Sequence, residues 1–348
     1  MILFVCKRLC FLVTIFFAVT ASAQQQWHSF FDGAAFGTYV TETGPTKPET
    51  RAFSTNWFIV GTERPIGGGA IFGRARLTFE PFTIPTQGYP QLLQYISPSS
   101  GGPLTDHMRA HDLVEEAAVG FEWRPVQIYL APVGEPPLGA EPFAQRSSSL
   151  DFADAPFAYD VQESFHVATR VAAAALTSHF ADVEYGVFHA SNTTGRHTTI
   201  DDGNIDSWSA RLTIAPDSKL SAQVSTGRLT DAKRKVDSAS ITYRGPVLAT
   251  SAIWTKRDDR KAYGFEATIR YFRSNVMGRV ETIDRRTHTT VGYIFDVFRA
   301  RTQRAGIGID IDYHSNTRAI ERIYGHKPQT IYTFVRWRTE GITHPTSP

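Results

Sequence analysis

The chain has 348 residues, a formal net charge of +2, 42% hydrophobic and 20% charged residues, and two cysteines. Beyond the N-terminus no apolar run reaches the ~20 residues of a spanning helix. The arginines are dispersed along a near-neutral chain rather than gathered on one patch, which excludes a nucleic-acid-binding surface.

At the N-terminus Lys7 and Arg8 precede an apolar run from Leu9 to Val19, and Ala21-Ser22-Ala23 fits a small-residue cleavage site. This pattern predicts a secretory signal peptide over 1–23, with cleavage before Gln24. Cys6 and Cys10 both fall inside it, and Cys10 precedes the apolar run, so a lipoprotein reading does not fit. The remaining 325 residues have no cysteine and zero formal charge. Without disulfides an exported chain needs another source of stability, and a large β structure supplies one.

From Trp27 onward apolar and polar residues alternate with a period of two, the spacing of strands. Sixteen strands are predicted, near 28–41, 52–62, 69–82, 113–124, 126–132, 166–178, 181–190, 206–214, 219–229, 236–244, 247–256, 262–273, 276–286, 289–298, 303–313 and 329–338. Ser207–Leu229 is typical: Trp208, Ala210, Leu212 and Ile214 share one face, the chain turns at "APDSK", and Leu220, Ala222, Val224 and Thr226 resume the alternation. Successive strands lie one turn or one loop apart, as in an antiparallel meander.

The connections sort by length. One side carries short turns: "RPIGGG", Pro125, "SHFA", "APDSK", Gly245-Pro246 and Ser274-Asn275. The other carries the long stretches 83–112, 133–165, 191–205 and 314–328. Short periplasmic turns opposite long extracellular loops, with an even strand count, are the asymmetry of an outer-membrane barrel. The expected fold is therefore all-β: a single antiparallel transmembrane β-barrel of about 16 strands, within a range of 14 to 18. The expected division is a signal peptide at 1–23, the barrel at 24–338 and a C-terminal tail at 339–348.

One face of the strands collects Val119, Phe121, Trp123, Ile241, Tyr243, Phe265, Ile269, Tyr271, Val291, Tyr293, Phe295, Val297, Ile307, Ile309, Ile311 and Tyr313. The opposite face collects Arg74, Arg76, Glu80, Glu116, Glu122, Arg170, Glu184, Arg211, Arg244, Glu266, Arg270, Arg279, Glu281, Asp296, Asp310, Asp312, Arg336 and Arg338. A soluble barrel would turn the apolar set inward; a membrane barrel turns it to lipid and lines its lumen with the charges. The lumen set holds nine arginines and nine acids. Such balance predicts weak ion selectivity, or an interior cross-linked by arginine–carboxylate pairs.

Several stretches then carry a resemblance: "FSTNWF" (Phe53–Phe58), "RPIGGG", "AHDL" (Ala110–Leu113), "LAPVGEPPLG" (Leu130–Gly139), "SFHVA", "DSWSARL" (Asp206–Leu212) and "SAQVSTGRL". In these the chain resembles an uncharacterised family of bacterial outer-membrane, porin-like barrel proteins. The resemblance implies an outer-membrane barrel and no particular substrate. Where relatives tend to have paired histidines before "SFHVA", this chain has Tyr159 and Asp160.

Other chemistry is weaker. In "DHMRAHD" the pair His107 and His111, four apart, would share a helical face with Asp106 and Asp112 nearby, and His166 would approach from the next long loop. These are candidate metal ligands, although polar loop residues are the better account. There is no nucleophile elbow and no serine–histidine spacing of catalytic kind, so no enzyme is expected. Gly306 and Gly308 of "GIGID" sit on one face of a strand, which suits relief of bulk inside a lumen rather than a phosphate loop. "NTT" at Asn192 matches a glycosylation acceptor, which carries little meaning in a bacterial setting.

The loop 133–165, rich in Pro, Gly and Ala, is long enough to fold into the barrel mouth. "TDAKRK" and "TKRDDRK" would sit at the outer rim against lipopolysaccharide phosphates, or be ordinary solvated hairpins. The chain ends ten residues past Arg338 instead of on an aromatic, so Phe334 or Trp337 would give the assembly machinery its signal. The expected function is a passive channel for small hydrophilic solutes in the outer membrane, with no cofactor. The alternative is a closed structural or ligand- or metal-binding outer-membrane barrel displaying its long loops. Expected partners are lipid, lipopolysaccharide, the barrel-assembly machinery and small solutes, and a homo-oligomer is compatible with this reading.

Overall fold

The computed structural model describes residues 26–43, 49–92, 107–190, 198–201, 203–229, 234–284, 286–315, 325 and 328–339. The predicted signal peptide, Asp106, Asn192, most of "TDAKRK" and the residues beyond Thr339 lie outside the described residues.

Sixteen strands form one closed antiparallel barrel. They are β1 (His28–Thr43), β2 (Thr50–Ile66), β3 (Gly69–Leu77), β4 (Val114–Trp123), β5 (Val126–Gly134), β6 (Ala168–Thr177), β7 (Ala181–His189) and β8 (Ser207–Ile214). Then follow β9 (Leu220–Leu229), β10 (Arg234–Arg244), β11 (Leu248–Arg257), β12 (Arg260–Tyr271), β13 (Ser274–Ile283), β14 (Arg286–Arg299), β15 (Gln303–Ser315) and β16 (Gln329–Thr339). Each strand pairs with its sequence neighbour, and β1 closes on β16 from Ala34↔Arg338 to Thr43↔Gln329. Closure leaves no sheet edge exposed, and an exposed edge is the usual aggregation hazard of a long sheet.

Local chemistry sets the turns. Gly67 (φ +53°) and Gly68 (φ +91°) link β2 to β3, and both φ values are positive, as a two-residue type I′ hairpin demands. At "APDSK" the Asp217 carboxylate accepts the amides of Lys219 and Leu220, each at 2.8 Å, which is a side-chain-closed turn. Beyond it the register pairs Ile214↔Ala222, Leu212↔Val224 and Ala210↔Thr226, so the apolar faces of β8 and β9 coincide.

The predicted strand 69–82 ends early. Ladder pairing stops at Leu77, and Glu80–Thr83 is a single helical turn, α1. Pro81 has no amide to donate to a ladder, yet it fits the first turn of a helix.

The orientation of the faces is decided. Val119 (59%), Phe265 (53%), Val291 (51%), Ile307 (56%) and Val335 (58%) remain exposed on the outside, whereas Glu266, Arg279, Asp296, Asp310, Asp312 and Arg336 are each buried inside to 3% or less. A soluble protein would invert this arrangement. Inside, Gly306 and Gly308 face the lumen, and a Cβ at Gly308 would strike the ring of Phe334.

The lumen also has its own apolar clusters. Phe152 meets Ala34, Phe36, Met277, Ile294 and Phe334. Phe157 and Val161 meet Leu92, Ala262 and Ile283, while Leu138 and Phe165 meet Val171, Phe188, Leu229 and Val236. All five lumen-filling residues from Leu138 to Phe165 belong to the connection between β5 and β6, which is folded inside the barrel.

Candidate functional site: the inserted segment and the lumen wall

Residues 135–167 join β5 to β6 and carry one helical turn, α2 (Tyr159–Gln162). A polar chain enters a closed interior only if its hydrogen-bonding groups find partners there. The wall provides them. Gly139 donates its amide to Ser225 Oγ at 2.9 Å, and Ala153 donates its amide to Asp310 at 3.0 Å. The amides of Phe157 and Ala158 converge on the two oxygens of Glu281 at 2.8 and 2.9 Å. Ser148 Oγ donates to Glu266 at 2.6 Å and lies 2.8 Å from Ser251 Oγ.

Ion pairs repeat the pattern. Arg146 reaches Glu266 on β12 at 2.7 Å and Glu163 within the segment at 2.8 Å. Asp154 takes Arg279 of β13 at 2.7 Å, and the Arg279 guanidinium lies 4.6 Å from the Phe152 ring. Asp151 pairs with Arg336 and lies 3.5 Å from Arg338, both on β16. Arg336 also takes Asp296 at 2.5 Å. Asp160 takes Arg260 at 2.7 Å, and Glu141 takes Arg244 at 2.7 Å. The segment is thereby fastened to the wall from β9 to β16. Arginine suits the task because its planar fork serves two carboxylates at once.

The opposite wall pairs mostly within itself. Arg74 meets Glu116 at 2.8 Å, and Arg211 meets Glu184 through two contacts of 2.6 and 2.9 Å. Arg76 lies 3.3 Å from Glu115 and 3.9 Å from Glu135. Between this wall and the segment is a cavity of about 70 Å³ whose lining includes Arg76, Glu80, His111, Glu115, Tyr159, Glu163 and His166.

Of the predicted lumen residues, Glu80 lies on α1 rather than on a strand, yet is buried and bonded to His111. Arg270 reaches inward to the Ser147 carbonyl, and Glu122 lies 3.3 Å from Arg124 at the short-turn end. Arg170 is the correction. It is exposed, has φ +52°, and sits where the β6–β7 register slips between Thr169 and Ala172. Its parity is that of Ala172, Ala174 and Leu176, the outward set, with Leu176 60% exposed.

The histidine candidates are dispersed. His107 lies in a two-residue ribbon, pairing Tyr89–Pro90 with His107–Met108, and not on a helix; its Nε2 lies 2.9 Å from Glu49. His111 Nδ1 lies 2.6 Å from Glu80 and its Nε2 lies 2.9 Å from the Tyr159 hydroxyl. His166 lies 3.6 Å from Glu135, and Asp112 lines a separate cavity of about 20 Å³. No shared ligand set forms among these four. The helical face assumed for His107 and His111 fails because extended backbone directs the two side chains to different carboxylates.

Burial opposes the charged form of His111, but the Glu80 carboxylate outweighs it and holds the imidazole up at about 9. A raised histidine stabilises the fold fully below its unfolded value of about 6.5 and loses that contribution as pH rises through about 9. The thermal midpoint of the folded barrel is therefore expected to fall between pH 7 and 10. His111→Gln should flatten that slope; a slope equal to wild type would refute the assignment.

Several contributors were missed by strand-by-strand reading. Glu141, Arg146, Asp151, Asp154 and Asp160 are the segment's half of its ion pairs with the wall, with Glu163 paired to Arg146 within it, and a loop sequence has no periodicity to announce that it turns inward. Glu115 joins Glu116 in facing the lumen because the β3–β4 register slips between Arg76 and Leu77.

Neither family models nor curated protein sequences give a match to this chain. Solved structures do. An anion-selective porin from Comamonas acidovorans aligns with a TM-score of 0.58 at 10% identity, covering 90% of this chain and 100% of that one. Salmonella typhi OmpF in complex with daunomycin gives 0.57 at 8% identity, over 89% and 97%. A mutant of Rh. blastica porin gives 0.53 at 10% identity, over 89% and 100%. At such identities the likeness concerns architecture alone. The chain has the fold of the bacterial porins, a single closed sixteen-stranded transmembrane β-barrel.

Proposed function

We propose that this protein is an outer-membrane, porin-like channel for small hydrophilic solutes, exported by the signal peptide at 1–23. The observation that supports this most is the uneven attachment of the segment 135–167. Its shortest ion pairs with the wall run to β10, β12, β13 and β16, and a cavity lined by Arg76, Glu80, His111 and Glu115 is left toward β3 and β4. Solutes would pass there, between fixed charges of both signs.

In this reading the surroundings are lipid around the apolar belt and lipopolysaccharide beside Lys235, Lys256 and Lys261 at the long-loop end. The remaining partners are the barrel-assembly machinery and small solutes. In this reading the charge-lined wall takes a filtering role. Arg74, Arg76, Glu116, Glu184 and Arg211 stand as ion-paired charges on that wall.

The dense packing of the segment favours a second reading, a closed barrel that displays its long loops. Conductance in a planar bilayer separates the two. The channel reading expects small, stable steps with weak selectivity, because opposite charges face each other across the gap. Folded, inserted protein without steps would leave the closed barrel.

A further inference from the structure

On the lumen face of β14 and β15, His288, Asp312 and His314 each offer a ligand atom, and these atoms lie within 4.8 Å of one another. We propose that they form a binding site for a borderline divalent transition ion of the zinc class. Alternation puts them together: His288 opposes His314 and Thr290 opposes Asp312 in one ladder, all facing inward. Each of the three is at most 6% exposed.

Their unused atoms indicate a ligand. Both ring nitrogens of His314 are buried without a hydrogen-bond partner, and His288 Nε2 and Asp312 Oδ2 meet only in a mutual 3.2 Å ion pair that is not a well-formed hydrogen bond. Leaving such groups unpaired is costly, and native interiors rarely do it. A metal ion would engage three of these atoms at once. Two imidazoles and a carboxylate are an ordinary zinc donor set, with a fourth position left for water. Ligands around tetrahedral zinc stand roughly 3.4 Å apart for bonds of about 2.1 Å, and the candidate ligand atoms already lie within 4.8 Å of one another.

The surroundings support this assignment. Thr290 Oγ1 donates to Asp312 Oδ1 at 2.7 Å, which fixes the carboxylate and leaves Oδ2 directed at His288 Nε2, 3.2 Å away. The other nitrogen of His288 faces Glu281 at 3.6 Å. A carboxylate behind a ligating imidazole is the usual outer partner that orients it and raises its basicity. Phe157 of the inserted segment stacks on His288, with centroids 5.1 Å apart, and packs edgewise on His314 at 6.3 Å. An apolar cover of this kind keeps water from competing for the ion. The ion would join β14 to β15 beneath the residue that anchors the segment.

The test is titration of chelator-treated, folded full-length protein with Co²⁺, followed by displacement with Zn²⁺. One equivalent should bind, with visible absorption bands of four-coordinate cobalt that zinc abolishes. The same zinc should raise the thermal midpoint. His314→Gln should remove the bands and the midpoint shift, Thr290→Val should weaken binding about 10–100-fold, and His179→Gln, at an exposed turn, should change neither. Wild-type protein that takes up no stoichiometric ion would overturn the site and leave an ion-paired cluster. Binding that persists in His314→Gln would overturn it equally, by placing the ion elsewhere. Heat-modifiable migration on gels establishes that each variant is folded before titration.

Discussion

Asp151→Ala is expected to destabilise the barrel by about 3–5 kcal/mol, the usual cost of leaving a buried charge without its partner. Asp151 is wholly buried against Arg336 and Arg338, and Asn275 donates to it at 2.9 Å. Burial opposes its ionisation, but the two arginines outweigh it and hold the carboxyl down at about 2. A depressed acid stabilises the fold above its unfolded value near 3.9 and loses that contribution as pH falls through about 2. The stabilisation is therefore complete at neutral pH, where the variant should show its full deficit. Arg336 keeps Asp296, so the barrel should still close while the segment loosens and conductance rises. Unfolding in denaturant and single-channel recording check the two halves. Wild-type values in both would refute the role given to this pair.

Val291→Arg is expected to cost about 2–4 kcal/mol in a bilayer, the penalty for arginine on the lipid face near the midplane. Val291 lies near the middle of β14, 51% exposed on the outer face. In water the same substitution at an exposed strand position would change stability by no more than about 0.5 kcal/mol. Equilibrium unfolding from vesicles measures the difference. A near-neutral result would contradict the assignment of this face to lipid.

The strands were legible because alternation is a local signal that closure amplifies. Every predicted strand has its counterpart in the ladder, and on β13–β16 the charged residues of that parity are buried. Legibility failed where the two-residue period breaks. Pro81 ends β3 early, the slip beside Leu77 brings Glu115 inward, and Arg170, beside the slip in β6–β7, shares the outward parity of Leu176.

The inserted segment was legible only as a length. Its destination depends on pairs such as Arg146–Glu266 and Asp154–Arg279, separated by more than a hundred residues, and no local pattern encodes them. The cluster of His288, Asp312 and His314 was half visible. Asp310 and Asp312 were placed on the lumen face of β15, and one further step of the same period reaches His314. In "DHMRAHD" a spacing of four would mean a shared face only on a helix, and His107 lies in an extended ribbon instead.

The placement of the segment inside the lumen is the central claim, and one double variant tests it directly. Ser148 of the segment and Ser251 of β11 face each other with their hydroxyl oxygens 2.8 Å apart. Both cysteines, Cys6 and Cys10, fall within residues 1–23, so a protein that begins at Gln24 has no other cysteine to interfere. Ser148→Cys with Ser251→Cys, oxidised in lipid and recorded in a planar bilayer, should cross-link almost completely. Conductance should be the same before and after reduction, since the native ion pairs already hold the segment in place. Folded protein that does not cross-link, or a large conductance step released by reduction, would contradict the account.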